Sequence, residues 1–279
     1  MRKKLIFLDI DGTILIPGEG IRETVKEALQ KAKENGHPVF VCTGRAWCEL
    51  PEEIKHMELE GIIASAGSDI RIRGKSVYRT AVETSLLQKI MDTLDEMDAI
   101  YMLEGYDQVY VSRRGAKVLT DGEEIPADNP ELIRWRDFFR KLGKVKNVQE
   151  WNPKEEPIPK VAFMLWGREK VEILRQRFGD LFHIILFDTV SEGFVNGEII
   201  SREADKGTAV HRTAEFLHIP HEDTVAFGDS MNDYQMIEQA ACGVVMGNGE
   251  EPLKAIADRI CESVWEDGVI RELGRMGVI

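Results

Sequence analysis

The chain has 279 residues, room for about two domains of ~150 residues each, and 43% of them are apolar, enough for ordinary globular cores. Its 36 basic and 49 acidic side chains leave a net charge of −13, which argues against nucleic acid or an anionic membrane surface as the main partner. Cys42, Cys48, Cys242 and Cys261 form no Cys-x-x-Cys pair, so they read as small buried residues or free thiols in a reducing compartment, not as a zinc site or a disulfide framework.

Arg2, Lys3 and Lys4 precede an apolar run that Asp9 cuts short, too brief for a signal peptide. No stretch is long enough to span a bilayer, and a cytoplasmic protein with no membrane partner is expected. Leu5 to Leu8 reads as a strand buried on both faces of a parallel sheet. Asp9 and Asp11 follow where the run stops. If strand geometry persists that far, their spacing turns both carboxylates to one side, where two oxygens suit a hard divalent cation such as Mg2+. An unpaired buried carboxylate costs several kcal/mol, so Asp9 requires a cation or strong donors nearby.

Ile21, Val25, Ala28, Leu29 and Ala32 recur at helical spacing, and Asn35-Gly36 is the stop signal. Pro38 to Cys42 is a second strand, ending in Thr43-Gly44-Arg45. A helix is expected next, then a third strand over Gly61 to Ala64 and a hairpin over Ile70 to Tyr78. This alternation predicts a parallel sheet with helical crossovers.

From about Ala81 the texture changes. Leu86 to Leu94 makes an amphipathic helix, Asp98 to Leu103 and Val109 to Ser112 look like strands, and Leu132 to Leu142 reads as a helix with Trp135, Phe138 and Phe139 on its apolar side. After a loop over Glu150 to Pro159 come a strand (Val161 to Trp166), a helix (Glu169 to Phe178) and a strand (Phe182 to Phe187). After about Val190 the first texture returns, with a hairpin turn expected at Val195-Asn196-Gly197-Glu198. A helix starts near Lys206 with Asp205 as N-cap, and strands end in Gly228-Asp229-Ser230 and in Met246-Gly247-Asn248. The order fits a first domain (1–82 and 190–279) interrupted by an inserted α+β domain (83–189).

Four polar ends would then share one rim of the parallel sheet, where ligands bind in open α/β folds. They are Asp9 with Asp11, Thr43 with Gly44, Lys206, and the run Gly228-Asp229-Ser230-Met231-Asn232-Asp233. Taken singly, each is ordinary: Thr43 ends a strand, Lys206 is a solvated helix-start lysine, Asp229 is an N-cap and Asp233 a surface charge. Taken in order, they resemble the four motifs of the haloacid dehalogenase superfamily. Asp9-x-Asp11-Gly12-Thr13 is similar to the first, Thr43-Gly44-Arg45 to the second, Lys206-Gly207 to the third and Gly228-Asp229-Ser230-x-Asn232-Asp233 to the fourth. The insertion, with Met246-Gly247-Asn248, resembles the Cof-type branch, which carries an α/β cap there.

The resemblance implies a Rossmann-like parallel-sheet core with an inserted cap, and hydrolysis of a small phosphorylated metabolite (sugar phosphate, nucleotide or cofactor phosphate) by a monomer or homodimer. Asp9 would be the nucleophile, forming an aspartyl phosphate, and Asp11 the general acid and base. Mg2+ would be held by Asp9, the Asp11 carbonyl and Asp229, with Asp233 a ligand or a partner through water. Thr43, Gly44 and Lys206 would cradle the phosphoryl oxygens, and Asn232 would orient Lys206 or the phosphate. Phosphoryl transfer to a sugar hydroxyl, as in a phosphomutase or phosphotransferase, and a non-catalytic metabolite-binding protein are the alternatives. Where the branch often has Ser-Asn-Gly, this chain has Ser65-Ala66-Gly67, and Arg45 near the same rim either contacts substrate or pairs with an acidic neighbour. The six histidines show no ligand spacing, and Trp135, Trp151 and Trp166 are read as core residues.

Overall fold

The computed structural model describes residues 2–119, 135–136, 139–140, 145–187 and 193–279. Its strands are β1 (Leu5–Leu8), β2 (Val39–Cys42), β3 (Gly61–Ala64), β4 (Asp69–Ile72), β5 (Lys75–Arg79), β6 (Ile100–Glu104), β7 (Val109–Val111), β8 (Val145–Asn147), β9 (Lys160–Trp166), β10 (Phe182–Phe187), β11 (Phe194–Ser201), β12 (Thr224–Gly228), β13 (Cys242–Val245) and β14 (Arg259–Ile260). The main helices are α1 (Glu23–Glu34), α2 (Thr84–Glu96), α3 (Lys170–Phe178), α4 (Lys206–Phe216) and α5 (Tyr234–Gln239). They assort into two compact units, residues 1–45, 50–79 and 204–279 in one and residues 46–49 and 80–203 in the other.

The first unit is built on an eight-stranded sheet of order β14-β13-β12-β1-β2-β3-β4-β5. β1 lies between β12 and β2 and is parallel to both, and β2–β3 and β12–β13 are parallel as well. Leu5, Ile6, Phe7 and Leu8 are all fully buried, as a strand covered on both faces must be. The parallel arrangement brings the residues after β1, β2, β3 and β12 to one edge of the sheet. Helix α1 buries Val25, Ala28, Leu29 and Ala32 and stops at Asn35, with Gly36 at φ +90°. The helix expected after Arg45 is reduced to a 3₁₀ turn at Trp47–Glu49 and a single turn at Glu52–Lys55. Pro51 stands immediately before that turn and restricts the residue ahead of it.

The second unit holds a six-stranded sheet of order β10-β11-β9-β6-β7-β8, antiparallel except for β7–β8. One face packs Tyr101, Phe163 and Leu165 against Leu87, Ile90 and Leu94 of α2 and Leu174 and Phe178 of α3. The other carries Ile100, Met102, Ala162 and Met164, packed with Trp135 and Phe139. The helix read over Leu132–Leu142 lies mostly outside the described residues.

The hairpin turn expected at Val195–Glu198 does not form. β11 runs straight through it and pairs with both β10 and β9. Gly197 reads as a turn glycine but serves close packing: a Cβ there would stand 2.2 Å from the Ile185 carbonyl oxygen and 2.9 Å from the Phe163 ring. Two flanking strands outweigh a two-residue turn preference, and β11 therefore belongs to the second sheet. No described helix is long and apolar enough to cross a membrane.

Candidate active site

β1 ends at Leu8, so alternation along a strand does not govern the two aspartates after it. The Asp9 amide still donates to the Phe227 carbonyl (3.0 Å), which fixes Asp9 at the sheet edge. The chain then turns back on itself, the amides of Ile14 and Leu15 donating to the Ile10 carbonyl at 3.1 and 2.8 Å. Gly12 takes φ +84° at this bend. The two carboxylates differ in exposure: the Asp9 side chain is 5% exposed and the Asp11 side chain 51%.

Asp205 caps α4 by accepting from the Thr208 amide (2.7 Å), which sets the axis along which Lys206 projects. Lys206 is buried, and its ammonium lies 2.7 Å from Asp9 Oδ1 and 2.5 Å from Asp233 Oδ1. Asp233 is fully buried, and its other oxygen accepts from the amides of Asp229 (3.0 Å) and Ser230 (3.4 Å). It thereby ties the loop after β12 to the lysine of α4. Carboxylate oxygens of Asp9, Asp229 and Asp233 all lie within 4.8 Å of one another. Asp229 Oδ1 is buried and lacks a hydrogen-bond partner.

This arrangement is short of positive charge, with three carboxylates facing one ammonium. Burial, reinforced by Asp233 and Asp9, pushes the Asp229 carboxyl up to about 8. Burial, then the Asp233 charge, pushes Asp9 up to about 7 against the pull of Lys206. Burial alone would lower the Lys206 ammonium, but Asp233 and Asp9 outweigh it and hold its pKa well above the usual lysine value. A divalent cation beside the orphaned Asp229 oxygen would offset the two excess negative charges, so the donor set fits a hard metal ion. The Asp11 carboxylate is not one of these donors.

Asp11 instead receives both arms of Arg45, Nε to Oδ2 at 3.0 Å and Nη2 to Oδ1 at 2.7 Å. The pair is open to solvent, with side-chain exposures of 35% and 51%, and such pairs contribute about 1 kcal/mol or less. Thr43 is buried after β2, and its hydroxyl accepts from the Arg45 amide (3.2 Å), with Gly44 between them. Asn232 does not hold Lys206. Its Oδ1 accepts from Ser230 Oγ (2.8 Å), and the role of orienting the lysine falls to Asp233. Asn248, which the sequence reading singled out without a function, fastens the Gly12 bend. Its Nδ2 donates to the Gly12 carbonyl (2.9 Å), while its Oδ1 accepts from the Val264 amide (2.8 Å).

At Ser65-Ala66-Gly67 the backbone is left-handed at three successive residues, φ +49°, +53° and +107°. Asparagine and glycine adopt that region readily, whereas for alanine it costs about 1–2 kcal/mol. The amides of Ser65 and Ala66 donate to the carbonyls of Arg45 (2.8 Å) and Thr43 (2.9 Å), so the strained turn is fastened to the β2 end.

The Gly12 bend yields a direct expectation. A Cβ at Gly12 would fall 2.2 Å from Asp229 Oδ2, at a φ that alanine also resists. Gly12→Ala should displace the Asp229 carboxylate and raise the divalent-ion concentration giving half-maximal activity by roughly 10–100-fold, the range for lost support of a ligand. An unchanged metal titration would show that Asp229 does not need this approach.

Residues 6–273 match the family model described as haloacid dehalogenase-like hydrolase. Phosphatase YwpJ of Bacillus subtilis (strain 168) is 28% identical over 281 residues, covering 95% of this chain and 97% of that protein. The B. subtilis 5-amino-6-(5-phospho-D-ribitylamino)uracil phosphatase YitU is 28% identical over 274 residues, covering 96% of each. Among solved structures, a haloacid dehalogenase-like hydrolase from B. subtilis superposes with a TM-score of 0.81 at 24% identity, covering 98% of this chain and 99% of that one. The subclass IIB sugar phosphatase BT4131 gives 0.78 at 20% identity, covering 99% and 100%. These structural likenesses show a common fold.

Proposed function

Since the chain belongs to the haloacid dehalogenase-like hydrolase family and is a hydrolase of phosphate monoesters, we propose that it is a Mg2+-dependent phosphatase for a small phosphorylated metabolite, acting through an aspartyl phosphate on Asp9. The observation that carries this reading is the convergence of Asp9, Lys206, Asp229 and Asp233, from three separated stretches of chain, on a space a few ångströms across. A relative is named for the 5-phosphate of a ribitylamino-uracil, a phosphate ester on a polyol chain, and such esters fall within the proposed class.

In this reading Asp9 attacks phosphorus in line, and the ester oxygen leaves with a proton from Asp11. The regenerated Asp11 carboxylate then takes a proton from the water that splits the acyl phosphate. Lys206, held by Asp9 and Asp233, needs no reorganisation to meet a phosphoryl oxygen, and preorganisation of that kind supplies much of the stabilisation of developing charge. Thr43 and the Gly44 amide line the same edge and complete the cradle. Asp9 and Asp229 would hold Mg2+, with the Asp11 carbonyl, and Asp233 would act directly or through water. When bound, the ion reduces the repulsion between the nucleophile and the phosphoryl group.

The test is turnover of a generic aryl phosphate with and without divalent ions. Chelation should abolish phosphate release, and added Mg2+ should restore it. Full activity in excess chelator would overturn the metal requirement. Phosphoryl transfer to an added sugar in place of release of inorganic phosphate would identify a phosphotransferase.

A further inference from the structure

The loop after β13, residues 246–250, supplies none of the three clustered carboxylates, yet it is fastened to both loops that carry them. Toward β12, the Glu250 amide donates to the Asp229 carbonyl (2.8 Å) and the Met246 amide to the Gly228 carbonyl (3.0 Å), while Glu250 Oε1 accepts from the Met231 amide (2.9 Å). Toward β1, Asn248 Nδ2 donates to the Gly12 carbonyl (2.9 Å). Asn248 is itself oriented from the C-terminal segment, its Oδ1 accepting from the Val264 amide (2.8 Å). With an acceptor at one end of its amide and a donor at the other, the group cannot turn over without losing both bonds.

The Gly12 backbone forms a wall of the metal space, since the position of a Cβ on it lies 2.2 Å from Asp229 Oδ2. Asn248 therefore helps to set how far the Asp229 carboxylate can retreat from Asp9 and Asp233. Without its side chain the Gly12 carbonyl would turn to water, and the bend would be free to move away from Asp229. Ion choice depends on that freedom. Mg2+ takes its oxygens at about 2.0–2.1 Å in near-ideal octahedral geometry, whereas Ca2+ accepts about 2.3–2.6 Å and irregular geometry. A pocket held at fixed width favours the smaller ion, and one that can open favours the larger.

We propose that Asn248 is a positioning residue that makes the site selective for Mg2+ over Ca2+ by bracing the Gly12 bend against Asp229. It acts through the Gly12 backbone and is not itself a ligand. The inference rests on the reading of Asp9, Asp229 and Asp233 as metal donors.

The experiment titrates Mg2+ and Ca2+ separately into the metal-free protein by calorimetry, for the wild type, Asn248→Ala and Val264→Pro. The wild type should bind Mg2+ the more tightly. Asn248→Ala should raise the Mg2+ Kd roughly 10-fold or more, the scale for lost support of a ligand. Its Ca2+ Kd should rise by less than about threefold, because the larger ion follows the looser pocket. Val264→Pro removes the N–H that orients Asn248. Proline fits there, because Val264 is the first residue of a 3₁₀ turn and Ser263 before it is extended. This variant should shift the ratio of the two affinities the same way by a smaller factor, and it carries the test alone if Asn248→Ala does not fold. A general loss of stability would weaken both ions alike. Equal rises in the two Kd values, or an unchanged Mg2+ Kd, therefore overturn the brace and leave the metal donors standing. A wild type that holds Ca2+ as tightly as Mg2+ overturns the brace as well. A wild type that takes up neither ion overturns the reading of the donors and the brace with it.

Discussion

Replacing Asp9 by asparagine is expected to lower turnover of an aryl phosphate by about 10⁴-fold or more, the scale on which a covalent nucleophile is missed. The fold should survive, because the amide oxygen can still accept from Lys206, which now lies 2.7 Å from Oδ1. Stability should hold or rise slightly. Asp9 is a buried carboxylate pushed up to about 7 by desolvation and by the charge of Asp233, so removing its charge relieves that repulsion. Phosphate release and a thermal melt on the same preparation check both halves. Turnover within tenfold of the wild type would take the nucleophile's role from Asp9.

Lys206→Met should cost stability as well as activity. Lys206 is the buried cation between Asp9 and Asp233, and truncation leaves two buried carboxylates without it. Breaking a buried pair from one side costs about 3–5 kcal/mol, because the remaining charge stays desolvated. Chemical denaturation should show a loss of that order in metal-free buffer, and a smaller one with Mg2+, since the variant, short of one cation, should bind the ion more tightly than the wild type and gain more stability from it. Pairing the change with Asp233→Asn should cost less than the sum of the two single changes, because the residues share one network. Additive losses would mean that the contact between Lys206 and Asp233 carries no energy of its own.

What was legible in the sequence is what local patterning dictates. The apolar run at Leu5–Leu8, the stripe of α1 and the capped start of α4 at Asp205 all appear where periodicity and capping place them. The sequence placed Lys206 and Asp233 among the site residues but could not show that Asp233 holds the lysine, since the contact spans 27 residues and depends on how α4 and the β12 loop pack. The spacing of Asp9 and Asp11 placed both carboxylates on one side only if strand geometry continued past the apolar run, and β1 ends at Leu8, so alternation does not govern Asp11. Asn196-Gly197 shows the converse failure, a strong turn signal overridden by two neighbouring strands. At Ala66 the sequence registered a missing amide, while the structure supplies the physical point: this is a backbone conformation that asparagine and glycine favour.

β1 receives its hydrogen bonds from β2 on one side and from β12 on the other, with Leu5 set opposite Thr224. On the ribosome the second partner comes late. At ~5–20 residues per second, roughly 10–40 s separate the emergence of the two strands. For that interval β1, an uninterrupted apolar strand, shows a bare backbone edge to solvent or to its neighbours on the polysome. Nascent chains stalled between the two strands should therefore be the species most prone to self-association and most dependent on chaperone cover.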